Sequence, residues 1–65
     1  MEEIEVPAEA EAILLGLTEP ANPVGAREVR EFYKGKAQNG NKLVGQANGY
    51  QIKYDQQEDQ FYHVT

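Results

Sequence analysis

The Asn48-Gly49 dipeptide constrains the fold most, because it lies between two runs in which apolar and polar residues alternate. Asn-Gly favours a two-residue type I′ turn, since both of its central positions need a positive φ. Such a turn places Leu43 opposite Tyr54 in an antiparallel hairpin. It also puts Leu43, Ile52 and Tyr54 on one apolar face. The sequence therefore predicts two paired strands that meet at this turn.

A third strand is predicted over Gln60–Thr65, after the polar loop Asp55–Asp59. If the loop has five residues, Tyr62 and Val64 face the core and Phe61 lies on the outer side of the sheet. A loop of four residues turns Phe61 inward instead. Because Tyr62 and Val64 make the better apolar pair, we predict that Phe61 is exposed.

Two helices are predicted before the strands. Pro7 suits the first turn of a helix, where its missing N–H costs no hydrogen bond. The apolar residues that follow Pro7 recur at the spacing of one buried helical face. The second helix is expected to start with Asn22 as cap and Pro23 at the first position, or as late as Gly25. It is expected to end at Gly35 and the polar run 38–41.

The order of these elements predicts an α+β fold, in which two N-terminal helices pack on a three-stranded antiparallel meander. Residues 1–6 are expected to form a frayed acidic N-terminus. Residues 7–65 are expected to form one small domain. The predicted core consists of the apolar positions that face inward, which are Ile13, Leu14, Leu17, Val29, Phe32, Tyr33, Leu43, Tyr50, Ile52, Tyr54, Tyr62 and Val64.

The composition of this 65-residue chain excludes several kinds of chemistry. The absence of Cys excludes disulfides and thiolate metal sites, and a single histidine, His63, cannot form a multi-histidine metal site within one chain. Without Ser no Ser–His–Asp arrangement exists, and the glycines match neither a P-loop nor a dinucleotide-binding fingerprint. We therefore expect no enzyme activity, no metal and no cofactor.

Hydropathy and the N-terminal charge bear on location. No apolar run approaches the roughly 18 residues that a membrane-spanning helix needs. The N-terminus is acidic, whereas a signal peptide is basic. Together with the absence of Cys, these features favour a soluble cytoplasmic protein with no membrane contact.

Charge is distributed unevenly along the chain. The net charge is −5, yet all six basic residues lie between Arg27 and Lys53. Arg27, Arg30 and Lys34 recur at i, i+3 and i+7, which places them on one side of the second helix. This basic stripe has two interpretations. It is either a solvated helix face, where Glu31 pairs with Arg27 and Lys34, or a patch that contacts anions.

These features predict a small non-enzymatic module for protein interaction or regulation. Its contact surface is expected on the outer face and edge of the sheet, helped by the basic stripe. The partner is expected to be another protein, and self-association through the C-terminal edge strand is a further possibility. The residues predicted to make contact are Phe61, His63, Gln51, Lys53, Arg27, Arg30 and Lys34.

Two alternatives stay open. The protein is a structural subunit of a larger assembly, or it binds nucleic acid through a helix-turn-helix with the Asn-Gly hairpin as a wing. The negative net charge and the prolines between the helices weigh against nucleic acid. That alternative uses Arg27, Arg30, Lys34, Lys42 and Lys53.

Overall fold

The computed structural model describes residues 2–17, 24–47 and 49–65. Within these ranges the order of elements is one strand, two helices and three strands. The predicted α+β class is therefore confirmed. The strands are β1 (Glu3–Val6), β2 (Lys42–Gly45), β3 (Gln51–Asp55) and β4 (Gln60–Val64), and the helices are α1 (Ala8–Leu14) and α2 (Ala26–Gln38).

The sheet differs in detail from the predicted meander. It has four strands in the order β1-β2-β3-β4. β1 runs parallel to β2, and the other neighbouring strands are antiparallel. The predicted three-stranded antiparallel sheet is thus corrected to a mixed sheet. The helical segment supplies the long crossover that a parallel pair requires.

The N-terminal segment that was expected to fray forms β1 instead. Val6 is fully buried, and Ile4 packs against the core. The backbone is fixed at both ends, since Lys42 N donates to Glu2 O at 2.8 Å and Gln46 N donates to Val6 O at 3.2 Å. Fraying was expected from position in the chain alone, and the partner strand that prevents it lies about forty residues away.

The core lies between the two helices and one face of the sheet. Its buried side chains are Val6, Ala10, Leu14, Leu43, Ile52 and Phe61. Other predicted core residues pack partly buried against these, namely Val29, Tyr33, Tyr50 and Tyr54, while Ile13 is half-buried. The predicted core residues that are exposed instead are Leu17, Phe32, Tyr62 and Val64.

Helix length and phase explain two of these errors. α1 ends at Leu14, so Leu17 lies beyond the helix and 72% of it is exposed. α2 turns Val29 and Tyr33 toward the core. Phe32 lies about 100° around the helix from Tyr33, and it points away from the core.

The bounds of α2 agree with the later of the predicted limits, which are a start next to Gly25 and an end at the polar run 38–41. The predicted cap Asn22 and first residue Pro23 lie outside the described residues. The helix begins at Ala26, directly after Gly25, whose φ is +83°. It continues through Gly35 and ends at Gln38.

The turn between β3 and β4 decides which side of β4 faces inward. Asp55 pairs with Gln60, so only four residues connect the strands, and Tyr54 lies opposite Phe61. Phe61 is consequently buried, with 4% of its surface exposed, and Tyr62 points outward. The predicted five-residue loop and the exposed Phe61 are both wrong.

Local hydrogen bonds hold this shorter turn. The Asp55 carboxylate accepts the backbone N–H groups of Gln57 at 3.0 Å and Glu58 at 3.3 Å. Asp59 completes the turn with a φ of +52°, a conformation that Asp tolerates better than most residues. Asp55 therefore belongs to β3 and not to the loop, which removes one residue from the connection.

The β2–β3 hairpin is shifted by two residues from the predicted register. Leu43 lies opposite Ile52, and Gly45 N donates to Tyr50 O at 2.7 Å. Residues 46–49 therefore connect the strands, which is longer than the predicted two-residue turn. Because a shift of two residues preserves the facing of every side chain, Leu43 and Ile52 still share the core face. The predicted type I′ conformation of Asn48 lies outside the described residues.

Candidate interaction surface

The outer face is the side of the sheet that the helices leave uncovered. Side chains alternate along each strand, so the residues between the core positions point to this face. Both helices contribute to the buried cluster on the opposite side. The described side chains of the outer face are Glu3, Glu5, Lys42, Val44, Gln51, Lys53, Asp55, Gln60, Tyr62 and Val64.

The outer face carries apolar side chains on the inner strand β2 and on the edge strand β4. Strand pairing aligns Glu5, Val44, Gln51 and Val64 in one row across all four strands. Tyr62 lies beside Val64 on β4, one row further along. Val44 is half-buried, whereas 46% of Tyr62 and 41% of Val64 are exposed. Large apolar side chains thus face solvent on a surface that neither α1 nor α2 covers.

One depression lies on this face. It has a volume of about 530 Å³ and is lined in part by Val44, Gln51 and Val64. A second cavity of about 390 Å³ is not confined to the outer face, because its lining includes Ala37 of α2 and the core-side residue Ile52 as well as Lys53.

The charges on the outer face are only partly compensated. Lys42 Nζ lies 3.9 Å from Glu3 Oε2, and both side chains are largely exposed. Lys53 has no ion pair among the described residues, and it lies opposite Tyr62 on the neighbouring strand. An aromatic side chain therefore stands beside a cation that has no ion pair in the described part of the chain.

The basic stripe lies on the helix layer, on the other side of the sheet. Arg30 Nη2 donates to the backbone oxygen of Asp59 at 2.9 Å. Lys34 Nζ lies 3.4 Å from Asp59 Oδ1 and 3.9 Å from Glu31 Oε2. The hydroxyl of Tyr54 also donates to Asp59 Oδ1. The structure thus pairs two of the three stripe residues with acids of this chain.

This Asp59 network holds its members in their usual charge states at neutral pH. The hydrogen bond from Tyr54, followed by that from Lys34, lowers the pKa of Asp59. Donation to Asp59 raises the pKa of Tyr54, and hydrogen bonding with Tyr54 and Asp59 raises the pKa of Lys34. All three pKa values move away from neutrality, which suits a structural clamp and not proton transfer.

The groove beside this network is electrically balanced. It has a volume of about 410 Å³ and is lined by Gly25, Ala26, Arg27, Glu28, Arg30, Glu31, Lys34, Asp59 and Phe61. Three bases therefore meet three acids. The Arg30 guanidinium also covers the buried Phe61 ring, 5.5 Å from its centroid. The described residues that line the groove thus supply no excess positive charge with which to hold an anion.

The residues predicted to make contact do not form one surface. Gln51 and Lys53 lie on the outer face, and Phe61 is buried in the core. His63 lies on the core side of β4, where its exposed ring stacks on Tyr50 with centroids 4.5 Å apart.

The basic residues are divided between the helix layer and the outer face. Arg27, Arg30 and Lys34 belong to α2, which packs against the core face of the sheet. The five bases considered for nucleic acid are therefore split between two sides of the molecule, with only Lys42 and Lys53 on the outer face.

Sequence reasoning missed the buried acid Glu11. Only 3% of Glu11 is exposed, and its Oε1 accepts the backbone N–H of Ala47 at 3.2 Å. This contact ties α1 to the β2–β3 connection. A signal was present, since Glu11 lies three residues before the buried Leu14 and thus on the same helical face.

The described part of the chain lacks two further kinds of feature, a metal-binding cluster and a membrane-spanning helix. Residues 2–17, 24–47 and 49–65 contain no group of three His, Asp or Glu side chains arranged to hold a metal ion. None of the helices described in these ranges is long and apolar enough to cross a membrane. Comparison of the chain with protein-family models, curated proteins and solved structures found no significant match.

Proposed function

We propose that this protein is a non-enzymatic interaction module that binds a protein partner through its outer face. The observation that carries the proposal is the one-sided packing of the helices. It leaves Val44 on β2 and Tyr62 and Val64 on the edge strand β4 on a sheet face that neither α1 nor α2 covers. Apolar side chains grouped on a surface and rimmed by polar groups are characteristic of partner sites.

The chemistry of the face indicates the chemistry of the partner. Tyr62 and the two valines favour an apolar patch on the partner, and aromatic residues are enriched at such contacts. Lys53 is exposed and has no ion pair within the described residues. A partner carboxylate opposite Lys53 would complement its charge and set the orientation of binding.

The size of the face suggests a weak contact. Three gaps of about 4.8 Å between strands and five residues of about 3.3 Å each give a flat area of roughly 240 Å². A stable complex buries about 800 Å² on each partner. The proposed interaction is therefore transient, or it extends beyond one copy of the sheet.

A pair of charge reversals on opposite sides of the molecule tests the proposal. Tagged wild-type protein, Lys53→Glu and Arg27→Glu are used to capture proteins from an extract of the source cell, and the captured proteins are quantified. Both variants change the net charge equally. We expect Lys53→Glu to reduce capture of a specific protein at least about tenfold, whereas Arg27→Glu retains it. Val44→Lys provides a second change on the outer face away from β4.

The captured protein is then purified and titrated directly against all four chains. Loss of binding with Arg27→Glu and retention with Lys53→Glu and Val44→Lys would place the contact on the helix layer and refute the proposal. Titration of generic duplex and single-stranded nucleic acid at low salt tests the nucleic-acid alternative. Binding that weakens steeply as salt rises would favour that alternative.

A further inference from the structure

The two edges of the sheet differ sharply in charge. β1 and β4 are the edge strands of the part of the chain that the structure describes. β1 carries Glu3 and Glu5, whereas β4 has the sequence QFYHV and contains no Lys, Arg, Asp or Glu. Charged residues on an edge strand prevent it from pairing with another chain. The β1 edge therefore has this protection, and the β4 edge lacks it.

We propose that β4 pairs antiparallel with β4 of a second copy and forms a symmetric dimer. A two-fold axis at Tyr62 allows all five residues of the strand to pair. Tyr62 then lies opposite Tyr62 of the other copy, Gln60 opposite Val64, and Phe61 opposite His63. No pair in this arrangement brings like charges together, and the contact is closed because each copy uses the same strand.

A symmetric antiparallel pairing of two β1 strands at the other edge is unfavourable. Antiparallel pairing of two β1 strands about Ile4 places Glu3 opposite Glu5 of the other copy, and it does so twice. Like charges directly opposite each other destabilise a strand pair. The charge pattern of the two edges therefore selects β4 as the self-pairing strand.

Pairing through β4 also enlarges the outer face. The two sheets become one continuous sheet of eight strands, because each copy contributes four. Tyr62 and Val64 of both copies then lie next to one another at its centre. The dimer does not depend on the outer face binding a partner, and neither Lys53→Glu nor Val44→Lys alters β4.

A charge-swap experiment tests both the edge and the register. The exposed positions Gln60 and Val64 face each other across the proposed axis. Q60K/V64K places two lysines opposite each other at both ends of the contact, whereas Q60K/V64E places lysine opposite glutamate. The two variants are matched, since both lose the same native side chains. In each, the lysine at position 60 lies beside Asp55 of its own chain.

The mass of each protein in solution is measured by sedimentation equilibrium at protein concentrations from about 10 μM to about 1 mM. This range includes the dissociation constants that are typical of weak complexes. Wild type is expected to rise from one chain of 7.3 kDa toward two. Relative to wild type, Q60K/V64K is expected to raise the dimer dissociation constant at least about tenfold, and Q60K/V64E to keep it within about threefold. Circular dichroism verifies that every variant is folded.

Several results would overturn the dimer. They are a wild-type monomer at 1 mM, masses above two chains, and equal dimerisation of the two variants. In a mixture of isotopically labelled and unlabelled wild type, we expect contacts between the Tyr62 rings of different copies. A dimer in which these contacts are absent would refute the β4 pairing directly. Each of these results leaves the capture experiment with Lys53→Glu unaffected, so the two proposals fail separately.

Discussion

Lys34 Nζ lies 3.4 Å from the Asp59 carboxylate, and this contact joins the middle of α2 to the turn between β3 and β4. The two residues are 25 positions apart in the chain. Asp59 also adopts a positive φ of 52°, so its backbone and its side chain both serve the same turn. That turn sets the facing of β4 and thus the composition of the outer face.

The Asp59 network makes stability depend on pH in the acid range. Because the pKa of Asp59 is lowered from its ordinary value of 3.8, its contribution to stability is present above pH 3.8 and is lost as the pH falls through the folded-state value. We expect Asp59→Asn to be slightly less stable than wild type from pH 7 to about pH 5, with the difference shrinking below pH 3.8. Asn tolerates the positive φ, so the variant isolates the charge. Urea midpoints of both proteins across this range measure the effect.

A constant difference between wild type and Asp59→Asn down to about pH 2 would contradict this linkage. Added salt supplies the control, since exposed ion pairs are screened. The difference in stability between wild type and Asp59→Asn at neutral pH should become smaller in high salt.

The facing of β4 is tested by introducing leucine at each of two neighbouring positions. Phe61→Leu alters a buried ring that packs on Tyr54 with centroids 5.0 Å apart. We expect it to lower the free energy of unfolding by about 1–3 kcal/mol. Tyr62→Leu changes an outward-facing side chain and should cost less than about 0.5 kcal/mol at low protein concentration. Urea unfolding measures both, and the opposite ranking would mean that β4 is turned over.

The buried Glu11 carboxylate is expected to stabilise the β2–β3 connection. Glu11→Ala removes the acceptor of the Ala47 N–H. It should cost about 0.5–1.5 kcal/mol, the usual net contribution of an intramolecular hydrogen bond, because the Ala47 N–H loses its acceptor. Glu11→Gln keeps an oxygen at this position and is expected to cost less. Hydrogen exchange at the Ala47 amide distinguishes this mechanism, since exchange should accelerate in Glu11→Ala and stay close to wild type in Glu11→Gln.

Two glycines are predicted to respond to alanine in opposite directions. A Cβ at Gly45 would meet Tyr50 Cε1 at 2.7 Å and Glu11 Cδ at 3.0 Å, whereas a Cβ at Gly35 meets nothing within 4 Å. Gly45→Ala should therefore destabilise by about 1–3 kcal/mol. Gly35→Ala lies inside α2 and should stabilise by about 0.5–1 kcal/mol. Thermal unfolding measures the stability of both variants relative to wild type. A Gly45→Ala variant as stable as wild type would refute the close packing of Gly45 against Tyr50 and Glu11.

Local patterns were sufficient to predict several parts of the fold. Alternation between Leu43 and Tyr54 indicated strands with a common apolar face, and an error of two residues in register left that face unchanged. The 3.6-residue period indicated both helices. On the candidate surface, the same alternation placed Gln51 and Lys53 on the outer face.

Tertiary structure alone decided the rest. The pairing of β1 with β2 joins segments about forty residues apart, and no local pattern reveals such a partner. The facing of β4 depended on a single residue, because moving Asp55 from loop to strand reversed every side chain that follows. Sequence by itself determined which segments alternate and where charge is concentrated, since both are properties of neighbouring residues. Which face each segment buries, and which acids meet Arg30 and Lys34, depends on contacts between distant segments that form only when the sheet and helices pack together.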